Sequence, residues 1–194
     1  MKRTLVLTLL LGAFMVAGCG PNKGAAEMAI TAAQAAFDAA KEQAMRIAPE
    51  EALGIQASID AARASMEKSE YKAAIDSANV IPARAKELAD GLPARAAQLQ
   101  AAWEKMISLP QALVALNDQV VKLAKSKQLP SGVDAAAVSA AKEALGAINE
   151  SWSEAKAAYE AGNLAEAMTN AGAAKQATVD AMNSLRMPIP ATMQ

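Results

Sequence analysis

Residues 25–47 read AAEMAITAAQAAFDAAKEQAMRI. Ile30, Ala33, Phe37, Ala40, Ala44 and Ile47 recur at alternating steps of three and four. An α-helix turns once in about 3.6 residues, so this spacing gathers them on one stripe and leaves the charged side chains off it. Ala is the strongest intrinsic helix former, and here it also supplies most of the apolar stripe. The segment therefore predicts an amphipathic helix from Ala25 to Ile47 that packs closely on its neighbours.

The same composition holds along the whole chain. Ala accounts for 51 of 194 residues, aromatics for 3%, and His is absent. A β-sandwich needs many more β-branched and aromatic residues, so the fold class is all-α: an Ala-rich antiparallel bundle of about six helices. Without His there is no His-ligated haem, His–metal site, Ser-His-Asp triad or imidazole general base. A single Cys, Cys19, excludes internal disulfides, thiolate zinc sites and Fe–S clusters.

Pro49 with Glu50 and Glu51 suits a helix start. The second predicted helix carries Ala52, Ile55, Ile59, Ala62 and Met66 on one face and ends at a tight turn near Lys68-Ser69. The third begins at Glu70 and runs to Leu88, with Pro82 bending or breaking it. Gly91 reads as its C-cap and Pro93 as the opening of a fourth, long helix to Lys127. In that helix Leu99, Met106, Leu113 and Val120 recur every seven residues across Pro110, the pattern of a kinked, coiled-coil-like rod or of two stacked segments. Leu129-Pro130-Ser131-Gly132 is a loop and Asp134 an N-cap. The fifth helix carries Leu145, Ile148, Trp152, Ala155 and Tyr159; the sixth follows the turn at Ala161-Gly162-Asn163.

These last two helices repeat an earlier pair. Ala52, Ile55, Ile59, Ala62 and Met66 stand 93 positions before Leu145, Ile148, Trp152, Ala155 and Tyr159. The same offset carries Tyr71, Ala74, Ile75 and Ala78 onto Leu164, Ala167, Met168 and Ala171, and Ser69 onto Gly162. The implied organisation is two duplicated three-helix units, residues 25–90 and 93–186, followed by a tail over 187–194.

The N-terminus has the features of an export signal. Lys2 and Arg3 precede an apolar run from Leu5 to Val16, too short to span a bilayer at about 20 residues. The run ends Val16-Ala17-Gly18-Cys19, which resembles the lipobox of bacterial lipoproteins. That resemblance implies cleavage of residues 1–18, a diacylglycerol on the Cys19 thiol and an acyl chain on its new amino group. Several acyl chains anchor firmly where one does not. In enteric relatives an Asp after the Cys retains the protein at the inner membrane. Gly20 stands there, so the resemblance implies the outer membrane, facing the periplasm first and the cell surface second. Residues 19–24 form a short lipidated tether.

Two further resemblances concern the helices. Tyr159-Glu160-Ala161-Gly162-Asn163-Leu164-Ala165-Glu166-Ala167 resembles the turn of a tetratricopeptide repeat, over one helical pair. Residues 19–90 resemble small helical envelope lipoproteins with an uncharacterised domain. The resemblance rests on Cys19, the Ala32–Ala44 helix, Ala48-Pro49-Glu50-Glu51, and the helix from Glu70-Tyr71 to Leu88. That family has no assigned enzymatic activity. Some of its members add a peptidoglycan-binding domain, and no such extension is seen here. The chain closes on Thr192-Met193-Gln194 rather than on the Lys of the short murein lipoprotein, so peptidoglycan is an open partner, not an implied one.

Catalytic chemistry finds little to rest on. No phosphate-binding loop, Rossmann glycine pattern or nucleophile elbow occurs. Glu50/Glu51 and Glu67/Glu70 read as helix-end charges, and Met182, Met187 and Met193 are too dispersed for a copper site. Without residues 1–18 the chain has 17 basic and 20 acidic side chains, a formal charge of −3, and Lys122, Lys125 and Lys127 read as a helix C-terminus, not a nucleic-acid footprint. The sequence therefore predicts a non-enzymatic, lipid-anchored envelope protein without a cofactor beyond its own lipid, acting as a structural or adaptor element toward another envelope protein or itself. It further predicts an exposed apolar strip around Leu113, Leu116, Val120 and Leu123, and Trp103 and Trp152 in core positions. The alternative is a module that binds a ligand, peptide or glycan in a cleft between the units lined by Tyr71, Trp103, Trp152 or Tyr159.

Overall fold

The computed structural model describes residues 22–193. The expected signal segment 1–18, with its lipobox-like Val16, Ala17 and Gly18, and Cys19 itself lie outside the described residues. Among the described residues there are seven α-helices: α1 Lys23–Ile47, α2 Pro49–Glu67, α3 Tyr71–Asn79, α4 Ile81–Glu104, α5 Leu109–Ala124, α6 Ala135–Glu160 and α7 Leu164–Ser184, with no strand and a short 3-10 turn at Ala191–Met193. None of these helices is long and apolar enough to cross a membrane.

The first helix starts two residues before the predicted Ala25. Asn22 is extended, and its side-chain oxygen accepts the N–H of Ala25 at 2.9 Å, satisfying an otherwise unpaired first-turn donor. Lys23 and Gly24 thus belong to the helix and not to the tether. Only Ala48 separates α1 from α2, whose first turn carries Pro49, Glu50 and Glu51 as expected.

The predicted third and fourth helices divide differently. The third breaks at Val80, and α4 restarts at Ile81 with Pro82 in its first turn, where its missing N–H costs no helical hydrogen bond. Val80 keeps helical dihedrals, so α3 and α4 read as one kinked rod and the bundle as six rods. Gly91 is no C-cap: α4 runs on through Pro93 to Glu104. Ile81, Ala85, Leu88, Leu92, Ala96 and Leu99 form one continuous apolar stripe across the proline, all packed in the same core. Pro93 faces solvent, where water can satisfy the carbonyl it leaves unpaired. Of the two arrangements open for the long fourth helix, the structure shows two segments: α4 ends at Glu104, and Pro110 falls in the first turn of α5. The seven-residue repeat of Leu99, Met106, Leu113 and Val120 therefore joins two separate cores.

The first core lies among α1, α2 and the α3–α4 rod, around Phe37, Ile59, Ile81 and Leu92. The second lies among α5, α6 and α7, around Leu109, Leu116, Ile148 and Met182. Each is a three-rod unit, and the division falls at residues 105–108, not at 91–92. Between the large side chains sit fully buried alanines, Ala33, Ala44, Ala74 and Ala78 in one unit and Ala155, Ala167 and Ala171 in the other, which allow close helix approach. The expected tail is packed: Met193 is buried in the second core and Met187 and Ile189 lean on it.

The repeated hairpin survives in atomic detail. Ser69 and Gly162 both adopt the left-handed conformation, with φ of 63° and 78°. The N–H of Ser69 donates to Met66 and that of Glu70 to Ser65; the N–H of Gly162 donates to Tyr159 and that of Asn163 to Ala158. Every partner is displaced by the same 93 positions, and both turns close as a Schellman motif. The offset does not extend to α1 and α5, which join their next helices by Ala48 and by residues 125–134 respectively.

Candidate functional site

Three places on the molecule bear on function: an aromatic stack, a cleft at the junction of the units, and a groove in the first unit.

Trp103, in the last turn of α4, lies parallel to Trp152 at 5.3 Å between ring centroids and to Tyr159 at 4.4 Å. The interplanar angles are 10° and 9°. Trp152 and Tyr159 are separated by two turns of α6, about 10 Å. That is the space two stacking steps need, so the Trp103 ring fills the gap between them. All three rings are half-buried: Trp152 packs against the second core as expected, and Trp103 belongs to neither core but forms the stack that ties the first unit to the second. Aromatic pairs of this kind add about 0.5–1.5 kcal/mol each beyond area burial.

The cleft between the units, about 830 Å³, runs between the C-terminal half of α1 and the N-terminal half of α7. It is lined by Asp38, Glu42, Arg46, Met45, Glu166 and Asn170 among others, and none of the aromatic residues reaches it. The aromatic-lined cleft expected from the sequence is therefore corrected: Trp103, Trp152 and Tyr159 are spent on one another, and Tyr71 opens α3 against the first core, its O–H donating to Ser69 Oγ at 3.3 Å. The cleft's charges are largely engaged. Arg46 pairs with Glu42 at 2.9 Å, Lys41 donates to Gln56, and Asp38 accepts from Gln34.

The groove, about 640 Å³, opens between α2 and α4 where Gly54 and Gly91 leave side-chain space unfilled. Ile55, Leu88 and Leu92 line it, and the Arg95–Glu51 ion pair crosses it. The guanidinium hydrogen bond holds the Glu51 carboxyl below its ordinary range, and Glu51 in turn raises Arg95.

The predicted interaction strip is corrected outright. Leu113, Leu116, Val120 and Leu123 are all buried, Leu116 completely, and they form the α5 share of the second core. The exposed apolar residues on this part of the chain are Ile107, Val114 and Val121. Their signal was present in the sequence as adjacent pairs, Leu113-Val114 and Val120-Val121, which make α5 apolar on two faces. Met182, Met187 and Met193 pack in the second core, and no group of three His, Cys, Asp or Glu side chains among the described residues could hold a metal. Comparison with known proteins finds no matching family model, no matching curated protein and no matching solved structure.

Proposed function

We propose that this chain is a lipid-anchored, non-enzymatic adaptor of the bacterial cell envelope, held on the membrane through Cys19. The observation that carries the reading is the short distance from the lipobox to the fold. Asn22 caps α1, so the first helical residue, Lys23, stands four positions after Cys19. A bundle fastened there rides close to the bilayer and presents its helical faces to neighbouring envelope proteins. The Ala-rich packing supports the same role, since it builds a stiff scaffold from small side chains and leaves few polar groups converging on a reaction centre. Gly20 after the Cys favours the outer membrane.

Mass spectrometry of the N-terminal peptide from native membranes tests the anchor. The expected peptide begins at Cys19 and carries a diacylglycerol and an amide-linked acyl chain. Cys19→Ala moves the protein out of the carbonate-washed membrane fraction. An unmodified Cys19 thiol, or a Cys19→Ala chain that stays on washed membranes, overturns the proposal.

A further inference from the structure

Ile107, Val114 and Val121 are 64%, 61% and 43% exposed and recur every seven residues. Beside them runs a second row at the same interval: Glu104, Gln111, Asp118 and Lys125, all exposed. Glu104, Ile107 and Gln111 line one surface depression, which places the start of both rows on one face. No side chain among the described residues makes a hydrogen bond or ion pair with any of the four polar members, whereas the ion pairs of the first unit engage six acidic side chains at or before Arg95.

The polar row is complementary to its own reverse. Turned end for end about its middle, Glu104 meets Lys125 and Gln111 meets Asp118. Each match occurs twice across a two-fold axis, as an isologous interface requires. A parallel pairing about a two-fold along the helices would instead put the two polar rows on opposite flanks of the apolar row, where neither meets the other. The apolar row obeys a reversal centred half a residue away, under 1 Å along the helix at about 1.5 Å per residue: Val114 meets its own copy and Ile107 meets Val121. We infer that the exposed face of α5, with Glu104 and Ile107 just before it, is the contact for a second copy of this chain, paired antiparallel about Val114. The row is narrow, so the contact is a weak and reversible one. It does not depend on the lipid anchor.

Disulfide trapping tests it in the full chain carrying Cys19→Ala, so that each introduced Cys is the sole thiol. Val114→Cys cross-links to itself at micromolar concentration. Val121→Cys alone does not, because the two copies of residue 121 stand about 20 Å apart at 1.5 Å per residue. An equimolar mixture of Ile107→Cys and Val121→Cys chains cross-links. Lys125→Glu lowers the Val114→Cys yield about fivefold, and adding Glu104→Lys restores it. Circular dichroism of each variant shows the unaltered helix content expected for exposed positions. Self-cross-linking of Val121→Cys at the rate of Val114→Cys, no trapping at Val114, or no rescue by the double reversal each overturns the inference.

Discussion

Ser69 and Gly162 occupy the same left-handed position in two Schellman turns 93 residues apart, yet one is an L-residue and the other glycine. Ser69 holds a φ of 63° that a Cβ disfavours. Ser69→Gly should therefore stabilise the chain by about 1 kcal/mol, after subtraction of the exposed Tyr71 hydrogen bond to its hydroxyl. Gly162→Ala should cost about the same. Urea midpoints of the two variants, moving in opposite directions, are the check.

Trp103 stacks on both Trp152 and Tyr159. Trp103→Ala should cost about 2 kcal/mol, because it removes two stacking contacts and leaves a slot between two turns of α6. The two hydrophobic cores are separate clusters, joined besides by the contacts of α7 with α1 and α4, so loss of the stack should weaken their coupling and spread unfolding toward two steps. Calorimetry separates these outcomes, and Trp103→Phe should restore a single transition.

The ion pair between Glu51 and Arg95 sets a pH dependence. The Glu51 carboxyl is held below its ordinary range by the Arg95 hydrogen bond, so its contribution is present above the unfolded value near 4.3 and is lost as pH falls through the lower folded value. Both side chains are about half exposed, which screens the effect. Glu51→Gln should flatten the acid limb of the stability profile below about pH 4.5 and leave stability at pH 7 within about 0.5 kcal/mol of the parent. Thermal melts from pH 3 to 7 read both.

Much of the fold was legible because periodicity survives alanine enrichment. Ile30 to Ile47 and the Ala52–Met66 and Leu145–Tyr159 faces are buried or half-buried as their spacing requires. Turn chemistry was equally clear at Asp134, whose side chain caps Ala137, and at Gly162. Proline gave the wrong boundary at Pro93. A proline does not say by itself whether it begins a helix or is carried through one: Pro82 and Pro110 do the first, and Pro93 does the second because Leu88, Leu92 and Leu99 keep α4 seated on α1. The Trp103 stack was illegible for a different reason. Trp103 lies about 50 residues from its partners, and nothing local marks a ring as the filling of a slot on another helix.

The α5 faces could not be told apart from sequence either, and this yields the sharpest pair of substitutions. Leu116 is fully buried between α6 and α7, while Val114, two positions away, is 61% exposed. An uncompensated ammonium at Leu116 would be removed from water with no carboxylate to meet it, so Leu116→Lys should cost more than about 4 kcal/mol and unfold the second unit. Val114→Lys puts the same charge into solvent and should change stability by less than about 0.5 kcal/mol. Far-UV circular dichroism with urea titration ranks the two. A folded Leu116→Lys beside an unfolded Val114→Lys would mean that α5 is rotated by roughly half a turn from the arrangement described, with its leucines outward and its valines in the core.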